Sequence, residues 1–384
     1  MKVAFLTTDS REHFKDYQAT APYFGMAPEA LLQGMARTPE LEVHVVCCVR
    51  AHMSSPVKMA DNIFYHALVV PKLGWISTAY QGCIRAIRGK IREIGVDLVH
   101  GQGTERECAM GAIYSGRPNV VTIHGNMAEI ARVLRSPITS FGWLAARFES
   151  FALRRTGGVL CNSEYTERLV APRAQRTWRV PNAIRSAFFA PRGPSGPPRC
   201  RLLNVGQISP RKRQIELLDV ARDLHAQGLD FTLEFVGGAH PENPYAVEFL
   251  EKIKPLEAVG VARFVGPKPT AELIQLFDAS AGVIHFPSEE AFGLVVAEAL
   301  ARDLKFFGAR TGGILDITAG VPGVELFELE DWSGLKYALA GWIRQGYPRS
   351  TKAADLMRAR YHPDLVARLH VEIYREVLKR AHRQ

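Results

Sequence analysis

No stretch of the 384 residues approaches the roughly 20 uninterrupted apolar positions that a membrane-spanning helix requires. The opening run, Met1 to Asp9, is too short for the core of a secretory leader and reads as a first buried strand. Cysteine is sparse and unpatterned: Cys47, Cys48, Cys83, Cys108, Cys161 and Cys200 contain no C-x-x-C pair. Buried free thiols in a reducing compartment, the cytoplasm, are the expectation. There is no H-E-x-x-H, no cysteine cluster and no Asp-x-Asp run, so no metal is expected. No G-x-G-x-x-G follows the first strand, which argues against a dinucleotide oxidoreductase. Neither G-x-x-x-x-G-K-[ST] nor G-x-S-x-G occurs, which disfavours kinase and hydrolase chemistry. Short internal repeats and low-complexity tracts are also missing.

What is present is a globular composition, 47% hydrophobic and 23% charged, on a chain long enough for two cores. Lysine and arginine exceed aspartate and glutamate by 48 − 39 = 9. Such a balance fits phosphate-bearing ligands, anionic membranes or nucleic acid, and does not choose among them. The densest basic helix, Cys83 to Gly95, sets Arg85, Arg88, Lys90 and Arg92 around Ile84, Ile87 and Ile91. It reads as the solvated face of a surface helix, with docking to an anionic membrane as the sharper alternative.

Short apolar, β-branched runs alternate with helix-length amphipathic segments. Strands are expected at Val3–Leu6, Val43–Val46, Asp97–His100, Val120–Ile123, Gly158–Cys161 and Trp178–Val180. After a break they resume at Leu202–Val205, Thr232–Val236, Arg263–Val265, Val283–Phe286, Lys305–Phe307 and Val324–Phe327. This alternation predicts α/β architecture with parallel sheets covered by helices. The break, Phe189 to Arg199, holds four prolines and two glycines and reads as a linker. The expected organisation is a Rossmann-like domain over 1–188, a linker over 189–199 and a second Rossmann-like domain over 200–362. A last amphipathic helix within 363–384, with a stripe of Leu365, Leu369, Ile373 and Val377, packs back on the first domain. Two such domains place a cleft between them, and open parallel sheets bind ligands at the carboxyl ends of their strands.

The strongest local signal is Pro287-Ser288-Glu289-Glu290-Ala291-Phe292-Gly293-Leu294-Val295-Val296-Ala297-Glu298, a strand end that opens a helix. Gly293 allows close backbone approach to a ligand. Glu298 lies in an apolar helix, where an unmet carboxylate costs a few kcal/mol, so a ligand hydroxyl, a cation or a structural base must meet it. The stretch resembles the E-x-F-G-x-x-x-x-E motif of family 4 of the retaining glycosyltransferases, which have the GT-B fold. The resemblance implies that Glu290 holds hydroxyls of the donor sugar and Glu298 those of the ribose. It also turns backbone N–H groups around Phe292, Gly293 and Leu294 toward the sugar and diphosphate.

A second match is Gly206-Gln207-Ile208-Ser209-Pro210-Arg211-Lys212-Arg213. The family usually has Gly-Arg and then a lysine five residues on, both gripping the diphosphate. Lys212 falls at the lysine position, whereas Gln207 stands where the arginine is common. Arg211 or Arg213 is left to compensate. Thr122-Ile123-His124-Gly125 resembles the family's histidine at a strand end beside the donor sugar. Gly25 matches its first glycine-containing loop, although a second glycine is missing. Gly237 and Gly238 end a strand, the segment around Phe264 and Val265 corresponds to one whose main chain reads the base, and Gly312 and Gly313 offer another helix N-terminus.

The resemblance implies a retaining hexosyltransferase that uses a UDP- or GDP-sugar as co-substrate, without cofactor or metal. His124, Lys212 and Glu290 are the expected catalytic groups, and the acceptor is a glycan, a lipid-linked or a small-molecule hydroxyl. Peripheral contact with an anionic inner-membrane surface is compatible, and no nucleic-acid partner is expected. The alternatives are a GT-B-like sugar-nucleotide epimerase or hydrolase and a non-catalytic nucleotide-binding scaffold. The sugar, the base, the linkage and the oligomeric state are not legible.

Overall fold

The computed structural model describes residues 1–192 and 199–383, so the 193–198 part of the expected linker lies outside the described residues. The chain divides into two compact units, one formed by Met1–Ser186 with the residues from Tyr361 on, the other by Ala187–Arg360. The second unit begins ahead of the proline-rich stretch because Phe188 and Phe189 are buried in it. The Phe188 ring lies 6.0 Å from that of Phe277. Arg302 donates to the carbonyls of Phe188 and Ala190 at 3.2 and 2.5 Å.

The first unit holds eight strands: β1 (Lys2–Leu6), β2 (Glu42–Val49), β3 (Lys58–Ala60), β4 (Ile63–Val69), β5 (Leu98–Gln102), β6 (Asn119–Ile123), β7 (Val159–Cys161) and β8 (Thr177–Arg179). Their order is β3-β4-β2-β1-β5-β6-β7-β8. All neighbours are parallel except the short β3 against β4. Successive side chains of β1 enter different cores, Val3 and Phe5 on one face, Ala4 and Leu6 on the other. Burial on both faces is why these strands read as unbroken apolar runs. Sequence reading passes over β4, whose edge-ward position leaves only Ile63 and Tyr65 buried.

The final helix, Pro363–Ala381, belongs to this unit and packs on the helix Met26–Met35. Its buried face comprises Val366, His370, Ile373, Tyr374 and Val377, whereas Leu365 and Leu369 are only partly covered. The expected stripe at four-residue spacing was therefore displaced at its start. Each step of four turns about 40° past a full circle, so three steps leave the face altogether. Helix contact is closest at Gly34, where a Cβ would collide with the carbonyl of Pro363. A polar chain ties the helix to the sheet: Tyr374 Oη lies 2.5 Å from His100 Nδ1, and His100 Nε2 lies 2.6 Å from Thr122 Oγ1. In the helix Gln81–Ile94, Ile84, Ile87 and Ile91 are buried while Arg85, Arg88 and Arg92 are exposed. Among the described residues no helix is long and apolar enough to cross a membrane.

The second unit holds β9 (Arg201–Val205), β10 (Thr232–Val236), β11 (Ala262–Gly266), β12 (Gly282–His285), β13 (Lys305–Ala309) and β14 (Val324–Phe327). The order β11-β10-β9-β12-β13-β14 is wholly parallel. Strand order reverses between β9 and β12, the position at which open parallel sheets characteristically bind their ligands. Both strongest sequence motifs leave the sheet at that place.

Gly34→Ala is expected to lower the unfolding free energy by about 1–3 kcal/mol, because backbone rather than a flexible side chain blocks the added methyl; urea denaturation reads it. Burial pushes His370 down to about 4. Between pH 6.5 and 4 the unfolded chain therefore binds a proton that the folded chain refuses. Stability is fully present above pH 6.5 and falls with pH through this window, by up to about 1.4 kcal/mol per pH unit for one such group. Melting curves from pH 7 to 4.5 should show the decline, and His370→Leu should make it shallower.

Candidate active site

Each unit carries part of the expected site, and the denser part lies in the second. After β9 the chain turns through the short 3-10 helix Pro210–Lys212. Arg213 then adopts φ +57 at the head of the helix Gln214–Ala226. After β12 it runs through Phe286–Phe292 to Gly293, whose φ of +95 starts the helix Leu294–Leu300. The two loops are clipped together. Ser288 N–H donates to the Arg211 carbonyl at 2.9 Å, and Arg211 Nη1 donates to the Glu289 carbonyl at 2.7 Å.

This clip brings Lys212 onto Glu290, whose Oε2 accepts from Nζ. The same oxygen lies 3.1 Å from Nε2 of His285, the last residue of β12, and Lys212 Nζ is 3.4 Å from that nitrogen. Arg211 completes the group, 3.2 Å from Glu289 Oε2 and 4.0 Å from Glu290 Oε2. Burial alone would raise the Glu290 carboxyl, but Lys212, His285 and Arg211 outweigh it and hold it well below the usual carboxylate range. Burial lowers Lys212, with Glu290 opposing. Burial, then the charge of Lys212, push His285 down to about 4. Glu290 is thus a carboxylate, His285 is neutral, and its Nε2–H donates to Glu290. His285 was missed in the sequence because it sits in the apolar run of a buried strand with no motif around it.

Arg211 and Arg213 differ in their contacts. Arg213 turns away, its guanidinium 4.5 Å over the Trp332 ring and bonded to the Leu329 carbonyl at 2.7 Å and to Glu330 at 3.1 Å. Gln207 is exposed, and its carbonyl accepts from Gln214 Nε2 at 3.1 Å.

The glycines divide by what they do. At Gly237, φ +150, a Cβ would strike the Gly206 carbonyl, so the loops after β9 and β10 cross in close contact. Gly238 accepts from Ile208 N–H at 2.9 Å. At Gly312, φ +52, a Cβ would strike the Glu290 carbonyl oxygen. The N–H of Gly313 donates to that same oxygen at 2.9 Å. Gly313 N–H is thus spent on fixing the Glu290 loop, and the helix it precedes, Ile314–Thr318, is one short turn.

The side chains of Phe292 and Glu298 are buried, at 2% exposure each, while Leu294 is partly open. Phe264 packs edge-on to Phe249 at 5.8 Å, and its N–H is bound by Glu257 at 2.9 Å, so that amide is not available to read a base. Val265 is partly exposed on the same edge strand, β11.

In the first unit, His124 ends β6 and its Nε2–H donates to Gln102 Oε1 of the adjoining β5 at 2.9 Å. Burial lowers His124 to about 4. This fixes a neutral ring with an acceptor at Nδ1, which is buried, with the Asn182 side chain near enough to bear on the ring. A small cavity borders it, lined also by Gln102, Thr122, Asn182 and His370. A buried lone pair beside a cavity is suited to accepting a hydroxyl hydrogen. Gly25 precedes the helix Met26–Met35 with φ −57 and nothing nearer to an added Cβ than Pro28 Cδ at 3.8 Å. The fold does not demand glycine there. Among the described residues no cluster of three or more His, Cys, Asp or Glu is placed to hold a metal.

The sequence model of the family "Glycosyl transferases group 1" matches residues 194–346, and that of "Glycosyltransferase Family 4" matches residues 29–188. A D-inositol 3-phosphate glycosyltransferase of Corynebacterium aurimucosum is 30% identical over 135 residues, 34% of this chain and 32% of that protein. Another of that name, from Corynebacterium urealyticum, is 29% identical over 184 residues, 45% of this chain and 42% of its own. The matched regions thus span about a third to two fifths of these curated relatives. Among solved structures, sucrose-phosphate synthase from Thermosynechococcus elongatus aligns with a TM-score of 0.78 at 16% identity, covering 99% of both chains. Anabaena HepE in complex with UDP and glucose aligns at 0.71 and 18% identity, covering 98% of this chain and 100% of that one. With sequence matches running from residue 29 to 346 and folds shared over nearly the whole length, the chain belongs to the GT-B glycosyltransferases of the family 4 type.

Proposed function

We propose that the protein transfers a hexose-type sugar from a UDP- or GDP-sugar to a hydroxyl of a glycan, a lipid-linked or a small-molecule acceptor, with retention at the anomeric carbon and without a metal. The observation that carries this reading is the buried Lys212–Glu290 pair at the switch point of the second sheet. Lys212 is the cation for the departing diphosphate, with Arg211 beside it, and takes the part a divalent ion has elsewhere. Glu290 fixes donor-sugar hydroxyls, and Glu298 is assigned to the ribose. HepE, whose structure holds UDP and glucose, favours UDP as the first nucleotide to try.

In the proposed step the acceptor oxygen bonds to the anomeric carbon on the face that the diphosphate leaves. The bond from that carbon to the phosphate oxygen breaks, and the acceptor's proton passes to that oxygen. No enzyme nucleophile is needed, so a covalent glycosyl-enzyme on the turnover path would overturn the scheme. His124, through its Nδ1, has the part the family resemblance gives it, contact with a donor-sugar hydroxyl. The six free, buried cysteines agree with a reducing, cytoplasmic setting, and the exposed arginines of the helix Gln81–Ile94 with an anionic inner-membrane surface.

UDP or GDP, supplied with EDTA, is expected to raise the melting temperature. At about 100 times its dissociation constant the stabilisation is about 2.7 kcal/mol, and Lys212→Ala should abolish it. Glu290→Gln should lower kcat by roughly 100-fold or more. The free nucleoside diphosphate should bind that variant at least as tightly, since Lys212 is released from its ion pair; loss of both activities together would contradict the assignment.

A further inference from the structure

In the second unit's loop cluster, one side chain has no part in the family motif yet touches both of its charged members. His285 is 1% exposed. Its Nε2 shares Glu290 Oε2 with Lys212 Nζ, at 3.1 Å from the oxygen and 3.4 Å from the nitrogen. The charged groups acting on it are Lys212 and Arg211 from the loop after β9 and Glu290 from the loop after β12, with Glu289 bound to Arg211. On its other side, β13 places Gly308 opposite it, which brings no titratable group. Two cations face two anions, and the ring is neutral. These charges balance one another.

A nucleoside diphosphate changes that balance. It brings at least two negative charges, and Lys212 must turn from Glu290 toward them to serve as their cation. Glu290 would then be a buried carboxylate deprived of its counter-charge, a costly state. Gln207 supplies no charge at the position where the resembled motif carries an arginine. We infer that His285 is a positioning residue that takes up a proton as the donor's diphosphate draws Lys212 away, so that Glu290 keeps its place with His285 as its cationic partner. This rests on the proposal that Lys212 grips the diphosphate. Nε2–H already donates to Glu290, so the proton adds at Nδ1 and the existing hydrogen bond is retained. Two causes hold the ring neutral, burial first and the charge of Lys212 second; the second is removed on donor binding and replaced by an anion.

The test is calorimetry of UDP binding, or of GDP if that nucleotide is the stabilising one, at pH 7 in two buffers of different ionisation enthalpy. The terminal phosphate of the nucleotide titrates in the same range, so the reading is the difference between wild type and His285→Gln. Glutamine keeps an N–H for Glu290 but cannot be protonated. On binding, wild type should take up more protons than His285→Gln does, by about half a proton or more. Its affinity should exceed that of His285→Gln by roughly tenfold at pH 6, and the two should converge by pH 8.5. Equal uptake would overturn the inference and leave the donor assignment standing. So would a wild-type affinity that follows only the nucleotide's own titration from pH 6 to 8.5, a result that needs no substituted protein to fold. Failure of wild type to bind either nucleotide would overturn the donor assignment and this inference with it.

Discussion

A carboxylate removed from water is tolerated only where other charges and donors meet it, and Glu290 is such a group. Lysine and arginine from one loop and histidine from the end of β12 converge on it, and its backbone carbonyl is held by Gly313 N–H. Much of the second unit's local structure follows from this. The Ser288–Arg211 clip sets the distance between the loops, and Gly312 has no side chain because the Glu290 carbonyl occupies the space one would need. Arg213 takes an unfavourable backbone angle and thereby sends its guanidinium to Trp332, away from the centre.

The parts of the fold that were legible in the sequence are those where one local pattern decides the outcome. Thr232–Val236 and Val324–Phe327 are short apolar runs closed by turn residues, and both form strands at those limits. The motif from Pro287 to Glu298 combines a strand end, a positive-φ glycine and a helix start, so its loop geometry could be anticipated. What could not be read depends on residues distant in sequence. His285 looks like one more member of a buried strand until Lys212, 73 positions earlier, is set beside it. Arg211 and Arg213 are equivalent as letters and are separated only by Glu289 and Trp332. The face of the last helix was misplaced because spacing alone does not say where a stripe begins; Gly34 and Tyr374 decide it.

The glycines give a related lesson about loops that carry function. Glycine in such a loop invites the reading that a ligand approaches the backbone, and Gly25 and Gly206, where an added Cβ would meet only side-chain atoms at ordinary contact distance, allow it. Gly237 and Gly312 are there because protein backbone approaches instead. Gly313 is closer to the second kind, since its N–H holds the loop that presents Glu290. A loop fixed in this manner can present a carboxylate in one position without relying on the ligand to order it.

The division of the chain also has a bearing on how the molecule is made. The first unit takes its final helix from beyond Tyr361, so the ribosome completes the entire second unit before that helix is synthesised. Until then the cluster around Val3, Phe5 and Leu31 lacks Val366, Val371, Tyr374 and Val377, and His100 lacks its phenol partner. The nascent first unit must wait with one apolar face bare while its successor folds.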